Sequence, residues 1–223
     1  IIILNYIFCA YRKWALELFE LINKKHDGFV LIKTPKQLTI KKIKQINPKY
    51  IFLPDWSWII PQEIHKNFQC ICFHESDLPK FRGGSPLQNQ IIRGIKKTKT
   101  TAFLMNDKID AGPIIMKKNL SLEGNLDEIF DRMKKNDLAI IENILKKGVK
   151  SKMQEGRISI FKRRKPEESQ LNSLNHSKTY LYDFIRMLGE PYPNAFIKIG
   201  KRKILFKSAK FEKNKLSVEA EIE

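Results

Sequence analysis

No stretch of this chain approaches the ~18 consecutive apolar residues that a membrane-spanning helix needs, so no span is expected. The most apolar opening, "IIILNYIFCA", lacks a basic flank and is interrupted by Asn5 and Tyr6. It reads as a buried first strand rather than a signal peptide. The sequence does not begin with Met. Cysteine is scarce: three residues, an odd number, two of them nearly adjacent at Cys70 and Cys72. That excludes a disulfide framework and points to a reducing, cytoplasmic setting. Acid is scarce relative to base, with 24 Asp and Glu against 42 Lys and Arg and a formal net charge of +18. Between Lys146 and Lys165 stand nine basic residues and one acid, Glu155. Such a surface attracts phosphates, on RNA, a nucleotide sugar or a lipid headgroup, although a lysine-rich composition alone produces the same count. Internal repeats, low-complexity tracts and the phosphate fingerprints G-x-G-x-x-G and G-K-[ST] are all missing.

What is present is a regular alternation. With 223 residues the chain is long enough for one well-buried core and a smaller appendage. Residues 1–8 read as a strand. Trp14, Leu18, Leu21 and Ile22 recur at helical spacing. "GFVLIK" is a second strand. Thr34 then offers an N-cap and Pro35 a first helical position, for a helix striped by Ile40, Ile43 and Ile46 and ended by Pro48. "YIFLP" is a third strand, Pro61 opens a short helix, and "QCICF" is a fourth strand. This order predicts an α/β fold: a Rossmann-like, mostly parallel sheet with helices on both faces.

Downstream, Ser85, Pro86 and Gly94 mark the N-cap, first residue and C-terminal glycine of a helix. "TTAFLM" and "IIMKK" are further strands, and Asn125 with Glu128 makes a capping box for a long helix closed by Gly148. The expected organisation is a catalytic domain over 1–150, a basic linker over 151–168 running on the surface, and a small α+β subdomain over 169–223. That subdomain should hold one helix and a strand pair around a Gly200 turn.

Ligands in open α/β sheets bind beyond the carboxyl ends of the strands. His74 directly follows the fourth strand, and Asp110 lies in the loop after the fifth, which should open on the same edge. An imidazole oriented by a carboxylate suits proton transfer, although Asp and His also serve as turn residues. Cys70, Cys72 and His74 alternate and so share one strand face. A metal site would need a fourth ligand and a C-x-x-C spacing, so no metal is expected. Cys72 activated by His74 is chemically conceivable, but ~6–7 Å between i and i+2 on a strand is loose for that pair, and a small buried hydrophobe is the default. Gly83 and Gly84, before a Ser-Pro helix start, offer free N–H groups, with Arg82 alongside, as an anion site, or else simply make a tight turn.

The stretches "FHESDLPKFRGGSPLQNQII" and "MNDKIDAGPI" resemble the folate-dependent formyltransferases, the family of methionyl-tRNA, glycinamide ribonucleotide and amino-sugar N-formyltransferases. The shared pattern is Asn-x-His, a Leu-Pro-x-x-Arg-Gly loop and an Asp about three dozen residues later; here Asp110 stands 36 residues after His74. The resemblance covers residues 1–150 and the start of a C-terminal region. The spellings "YRKWALELF", "WSWIIP" and "RGGSPLQN" look most like a divergent bacterial branch that formylates sugars. It implies an enzyme that uses 10-formyltetrahydrofolate as formyl donor, without a metal. His74 and Asp110 would be catalytic. Trp58, Ile59, Asp107, Ile109 and Gly112 would line the folate site. Cys72, Ser76, Arg82, Gly83, Gly84 and Asn89 would serve the substrate or its loop. The acceptor would be a primary amine on a nucleotide-linked amino sugar, for surface glycan synthesis. The alternatives are a methionyl-tRNA formyltransferase and a non-catalytic folate-binding relative, and a homodimer stays open. A short C-terminal region favours the sugar; the basic segment keeps tRNA in play. One departure stands out: Cys72 occupies the place of the family's Asn, which helps hold the formyl oxygen. A thiol is a much weaker donor than an amide, and Ser76, Asn89 and Asn106 are candidates to replace it.

Overall fold

The computed structural model describes residues 5–223, so the part of the expected first strand at residues 1–4 lies outside the described residues. The main sheet has six strands. β1 (Tyr6–Cys9), β2 (Phe29–Ile32), β3 (Tyr50–Leu53) and β4 (Cys70–His74) are mutually parallel, in the order β2-β1-β3-β4. β6 (Lys97–Leu104) and β7 (Ile114–Ser121) extend the sheet beyond β4. A two-residue strand, β5 (Arg82–Gly83), stands apart from it. The mostly parallel Rossmann-like sheet is therefore as expected, with one consequential difference. β6 runs antiparallel to β4, pairing Ile71 with Leu104 and His74 with Thr101. The end of β6 thus lies beside the start of β4, not beside His74. The reason given for Asp110 opening on the same edge does not hold.

Side-chain alternation divides the interior in two. Phe8, Phe52, Ile71 and Phe73 face one core, shared with α1 (Lys13–Asn23) and α5 (Leu126–Lys147). Ile7, Cys9, Ile51, Leu53 and Cys70 face the other, shared with α2 (Ile40–Ile46) and α3 (Gln62–Asn67). These strands read as unbroken apolar runs because both faces are covered.

Local details depart from expectation where two signals competed. Thr34 does cap at Pro35, but that turn is a short 3-10 segment over Pro35–Gln37. The α-helix begins afresh after Thr39, whose hydroxyl accepts from the Lys42 N–H, and it ends at Asn47 in the left-handed region. Leu21 is exposed; Ala15 and Phe19 complete the buried face of α1 instead. α4 (Pro86–Ile91) starts at Pro86 as expected, but Ser85 (φ 52) makes no side-chain cap bond, and its hydroxyl instead accepts from the Arg164 N–H. The C-terminal region carries α6 (Lys178–Arg186) and three antiparallel strands rather than a pair. These are β9 (Ala195–Ile199), β10 (Arg202–Glu212) and β11 (Lys215–Ile222). The region joins the main core through Leu181, Phe184, Ile185 and Phe206. The buried Arg186 adds bonds to the Leu122 and Gly124 carbonyls at 2.6 and 2.8 Å, and an ion pair with Asp183 at 2.7 Å.

The segment after α5 is tied down across the molecule. Lys152 bridges Ile114, and β8 (Ile160–Phe161) pairs in parallel with β5. No helix of the described residues is long and apolar enough to cross a membrane.

The capping box of α5 forms as read: the Asn125 side chain accepts from Glu128 N–H at 2.9 Å, and Glu128 returns the bond to Asn125 N–H at 2.8 Å. Asn125→Ala should therefore lower unfolding stability by about 1 kcal/mol in urea titrations, with function unchanged.

Candidate active site

A cavity of about 1000 Å³ opens at the carboxyl ends of β3 and β4. His74 ends β4 and is buried. Its Nε2 lies 2.7 Å from the Phe81 carbonyl oxygen. A carbonyl can only accept, so Nε2 carries the hydrogen, and the neutral ring presents a bare Nδ1. Nδ1 lies 3.7 Å from Asp110 Oδ2. That separation is too long for a direct hydrogen bond and leaves room for a third group to bridge. A proton arriving at Nδ1 would face a carboxylate that stabilises the cation.

Asp110 reaches His74 although β6 points the other way, because the loop from 105 to 113 folds back along the sheet. Three contacts fix that return. Asp110 Oδ2 accepts from the Gly83 N–H at 2.7 Å. The Gln154 amide donates to the Asp110 and Gly112 carbonyls, both at 2.8 Å. Gly112 packs so closely that a Cβ there would collide with the Leu104 carbonyl. Gln154 Oε1 in turn accepts from Arg82 at 2.7 Å, so one side chain joins the loops carrying Gly83 and Asp110. Sequence reasoning missed Gln154, a lone amide in a basic stretch with no motif around it.

The turn after His74 is held by the basic segment. Phe81 N–H donates to Ser159 Oγ at 2.8 Å, and Arg82 N–H and Gly84 N–H donate to the Ser159 and Phe161 carbonyls. The Phe81 and Phe161 rings stack 4.8 Å apart. Phe81, Ser85 and Asp110 all adopt positive φ, a conformation that costs non-glycine residues ~1–3 kcal/mol each and concentrates at functional sites.

The remaining expected site residues separate by position. Trp58, Ile59, Asp107 and Ile109 line the cavity together with Cys72, Gly83 and Gly84. Ile59 and Ile109 are 94% and 74% exposed at its rim, as large apolar groups are where a ligand covers them. Asp107 accepts from Gln62 at 2.8 Å, and that bond, with nearby Lys66 and His65, holds its carboxyl below the usual range. Gly112, Ser76, Arg82 and Asn89 do not line the cavity. Instead Ser76 Oγ donates to the Lys80 carbonyl at 2.7 Å, and Asn89 donates to the Gly84 and Ser85 carbonyls. They shape the loop, so neither is free to replace the amide missing at Cys72. Asn106 does line the cavity, with its Oδ1 accepting from Lys108 N–H at 3.0 Å.

Burial foremost, then the neighbouring Cys70 and the Asp110 charge, pushes the Cys72 thiol well above its usual range. Cys72 is therefore a neutral thiol, unsuited to nucleophilic attack. Among the described residues no group of three or more His, Cys, Asp or Glu is placed to hold a metal.

Two family models match the chain: Formyl transferase over residues 22–145, and the C-terminal domain of methionyl-tRNA formyltransferase over 166–223. A solved methionyl-tRNA formyltransferase from Clostridium thermocellum superposes with a TM-score of 0.94 at 43% identity, covering 98% of each chain. A curated methionyl-tRNA formyltransferase from Thermodesulfovibrio yellowstonii is 32% identical over 165 residues, 70% of this chain and 53% of its own length. HypX from Aquifex aeolicus, solved in complex with tetrahydrofolic acid, shares the fold at a TM-score of 0.77 and 19% identity, covering 94% of this chain and 38% of its own. The chain belongs to the formyltransferase family. It spans about half the length of the curated relatives it matches.

With Cys72 a neutral thiol, at most a weak donor, Cys72→Ser should keep turnover within a few-fold. Iodoacetamide at pH 7.5 should leave Cys72 unmodified, as peptide mass mapping would report. Cys72→Asn should raise turnover by up to ~10²-fold, the lower range of what a single oxyanion donor contributes.

Proposed function

We propose that this protein transfers a formyl group from 10-formyltetrahydrofolate to the amine of methionyl-tRNA. The transfer chemistry rests on His74 and Asp110. The amine must lose a proton as it attacks the formyl carbon, and the leaving folate nitrogen must gain one. His74 Nδ1, bare and facing Asp110 across 3.7 Å, is built to take and return that proton. The lining fits the donor. Trp56 and Trp58 meet edge to face at 4.9 Å, the buried Trp56 Nε1–H has no partner among the described residues, and Ile60 and Met105 add apolar wall. A flat heterocycle with hydrogen-bonding edges suits such a wall. The donor supplies an activated one-carbon group at the formyl oxidation level; Trp58, Ile59, Asp107 and Ile109 would hold it.

The choice of acceptor is carried by one observation, the whole-chain likeness to the C. thermocellum enzyme at 43% identity. That relative is covered over 98% of its length, so a short C-terminal region no longer favours a nucleotide-linked amino sugar. Basic residues are placed consistently with a polyanionic acceptor. Lys162, Arg163 and Arg164 line the cavity.

The test is formylation of methionyl-tRNA by the purified protein with 10-formyltetrahydrofolate. Formyl-methionyl-tRNA should form, and kcat/KM should fall steeply between 50 and 200 mM salt as phosphate contacts are screened, by ~10-fold or more. His74→Asn and Asp110→Ala should each abolish transfer while leaving Tm within a few degrees. Turnover of a nucleotide-linked amino sugar without turnover of tRNA would overturn the acceptor. No turnover with any amine would leave a folate-binding relative.

A further inference from the structure

His74 and Glu75 stand at the point where the sheet's two faces meet the cavity. Successive strand residues leave opposite faces. On β4, Cys70 belongs to the core beneath α2 and α3, whereas Ile71 and Phe73 belong to the core beneath α1 and α5. The cavity spans both sides. Leu53, Trp56, Ile60, Cys72 and Met105 line it on the first, the wall assigned to the formyl donor. Trp14, Phe73, Leu87, Phe130 and Met133 line it on the second. Glu75 follows Ile71 and Phe73 in that alternation and lines the cavity with His74, Arg12, Asp55 and Tyr192, the last packed against the same core as α5.

We propose that Glu75 receives the ammonium group of the acceptor on this second side and takes its first proton. The step is R–NH3+ plus Glu75 carboxylate giving R–NH2 plus Glu75 carboxylic acid. The freed nitrogen lone pair is then available to the formyl carbon beside His74, and Glu75 later releases its proton to solvent. This rests on the formyl-transfer reading above and adds a residue to it.

The other titratable groups are committed elsewhere. Asp55 is held by Arg12, through the guanidinium at 2.6 Å and the backbone N–H at 3.1 Å. Asp137 is fully buried, lies outside the cavity lining, and has no hydrogen-bond partner for either oxygen among the described residues. Burial foremost, then the Glu75 charge, keeps its carboxyl protonated. Tyr192 is pushed up to about 12 by burial and stays neutral. Glu75 makes no side-chain hydrogen bond to another residue among the described residues. Burial, opposed by His74 and Arg12, pushes its carboxyl up to about 7. A base near the working pH both accepts and sheds a proton readily. An aliphatic ammonium beside an apolar wall of Trp14 and Phe130, their rings stacked 6.0 Å apart, is the chemistry this compartment fits.

The experiment compares wild type, Glu75→Gln and Glu75→Asp in kcat/KM against pH, with methionyl-tRNA as acceptor. Two further readouts are binding of 5-formyltetrahydrofolate by tryptophan fluorescence and Tm against pH. Glu75→Gln should lower kcat/KM at pH 7 by ~10²-fold or more and remove the acidic limb near pH 7; Glu75→Asp should restore that limb. Folate binding should not change. The sign of the Tm effect follows from linkage. The unfolded Glu loses its proton near the ordinary carboxylate range, whereas the folded one keeps it to about 7, so wild-type stability falls as pH rises through that window. The Tm of Glu75→Gln relative to wild type should therefore rise between pH 4.5 and 7.5. A Glu75→Gln protein with the wild-type rate and pH profile, a flat Tm difference, or an equal loss of folate binding overturns the proposal. A wild-type protein that formylates no amine overturns the formyl-transfer reading along with it; wild-type turnover with an indifferent Glu75→Gln sinks only the role of Glu75.

Discussion

The Gly83 amide donates to Asp110 Oδ2 at 2.7 Å, and the site hangs on that bond. It links two turns that the sheet alone would keep apart. β4 delivers His74 at its carboxyl end, while β6, running antiparallel, carries the chain toward the opposite edge. A carboxylate can return to the imidazole only if the loop after β6 folds back and something holds it there. The backbone at Gly83 (φ 95) aims its N–H at the carboxylate, and a Cβ at that position would collide with the Phe161 carbonyl. Glycine is needed twice over: for the left-handed conformation and for the close approach of a neighbouring strand.

That approach makes the basic segment part of the site rather than a tether. β8 pairs with β5, Ser159 and Phe161 hold the turn, and Gln154 ties Arg82 to the loop bearing Asp110. Positive φ at Phe81, Ser85 and Asp110 would relax in an isolated loop. It persists where surrounding bonds over-determine it. The same segment carries Lys162, Arg163 and Arg164 into the cavity lining. These cations directly follow the strand that positions Phe81, whose carbonyl accepts from His74 Nε2. Under the formyl-transfer reading, acceptor binding and ring orientation would share one structural element.

The parts of this arrangement legible in the sequence are those where local chemistry decides. Unbroken apolar strands marked the parallel sheet, and Asn125 and Glu128 marked the start of α5, whereas the pairing of His74 with Asp110 came from the family resemblance and not from strand order. The direction of β6 was not legible, because "TTAFLM" is apolar and β-branched whichever way it runs, and only its partner's register sets its sense. Ser85 shows the same limit: a serine before a proline is a helix cap by propensity, but tertiary contact with Arg164 took its hydroxyl. Ser76 and Asn89 likewise carried the residue type for a replacement donor, and backbone carbonyls of their own loop had already claimed both.

The sheet's alternation then explains how one strand end can serve two reactants. Cys72 packs with the cluster that holds Trp56 and Met105, while Phe73 packs with the one that holds Trp14 and Phe130; carried past the strand, the same alternation would send Glu75 to the second side. Under the formyl-transfer reading, donor and acceptor would approach from opposite faces and meet at His74, without competing for the same wall. The two compartments also differ electrostatically. On the side that would take the donor, burial foremost, then Cys70 and Asp110, keeps Cys72 a neutral thiol. On the side that would take the acceptor, Asp55 is paired with Arg12 and Asp137 lies outside the cavity lining, which leaves Glu75 of the three carboxyls. Under that reading a proton taken by Glu75 need not cross the sheet edge: it would leave by the side on which the ammonium arrives, and His74 would handle the proton exchanged between the two nitrogens.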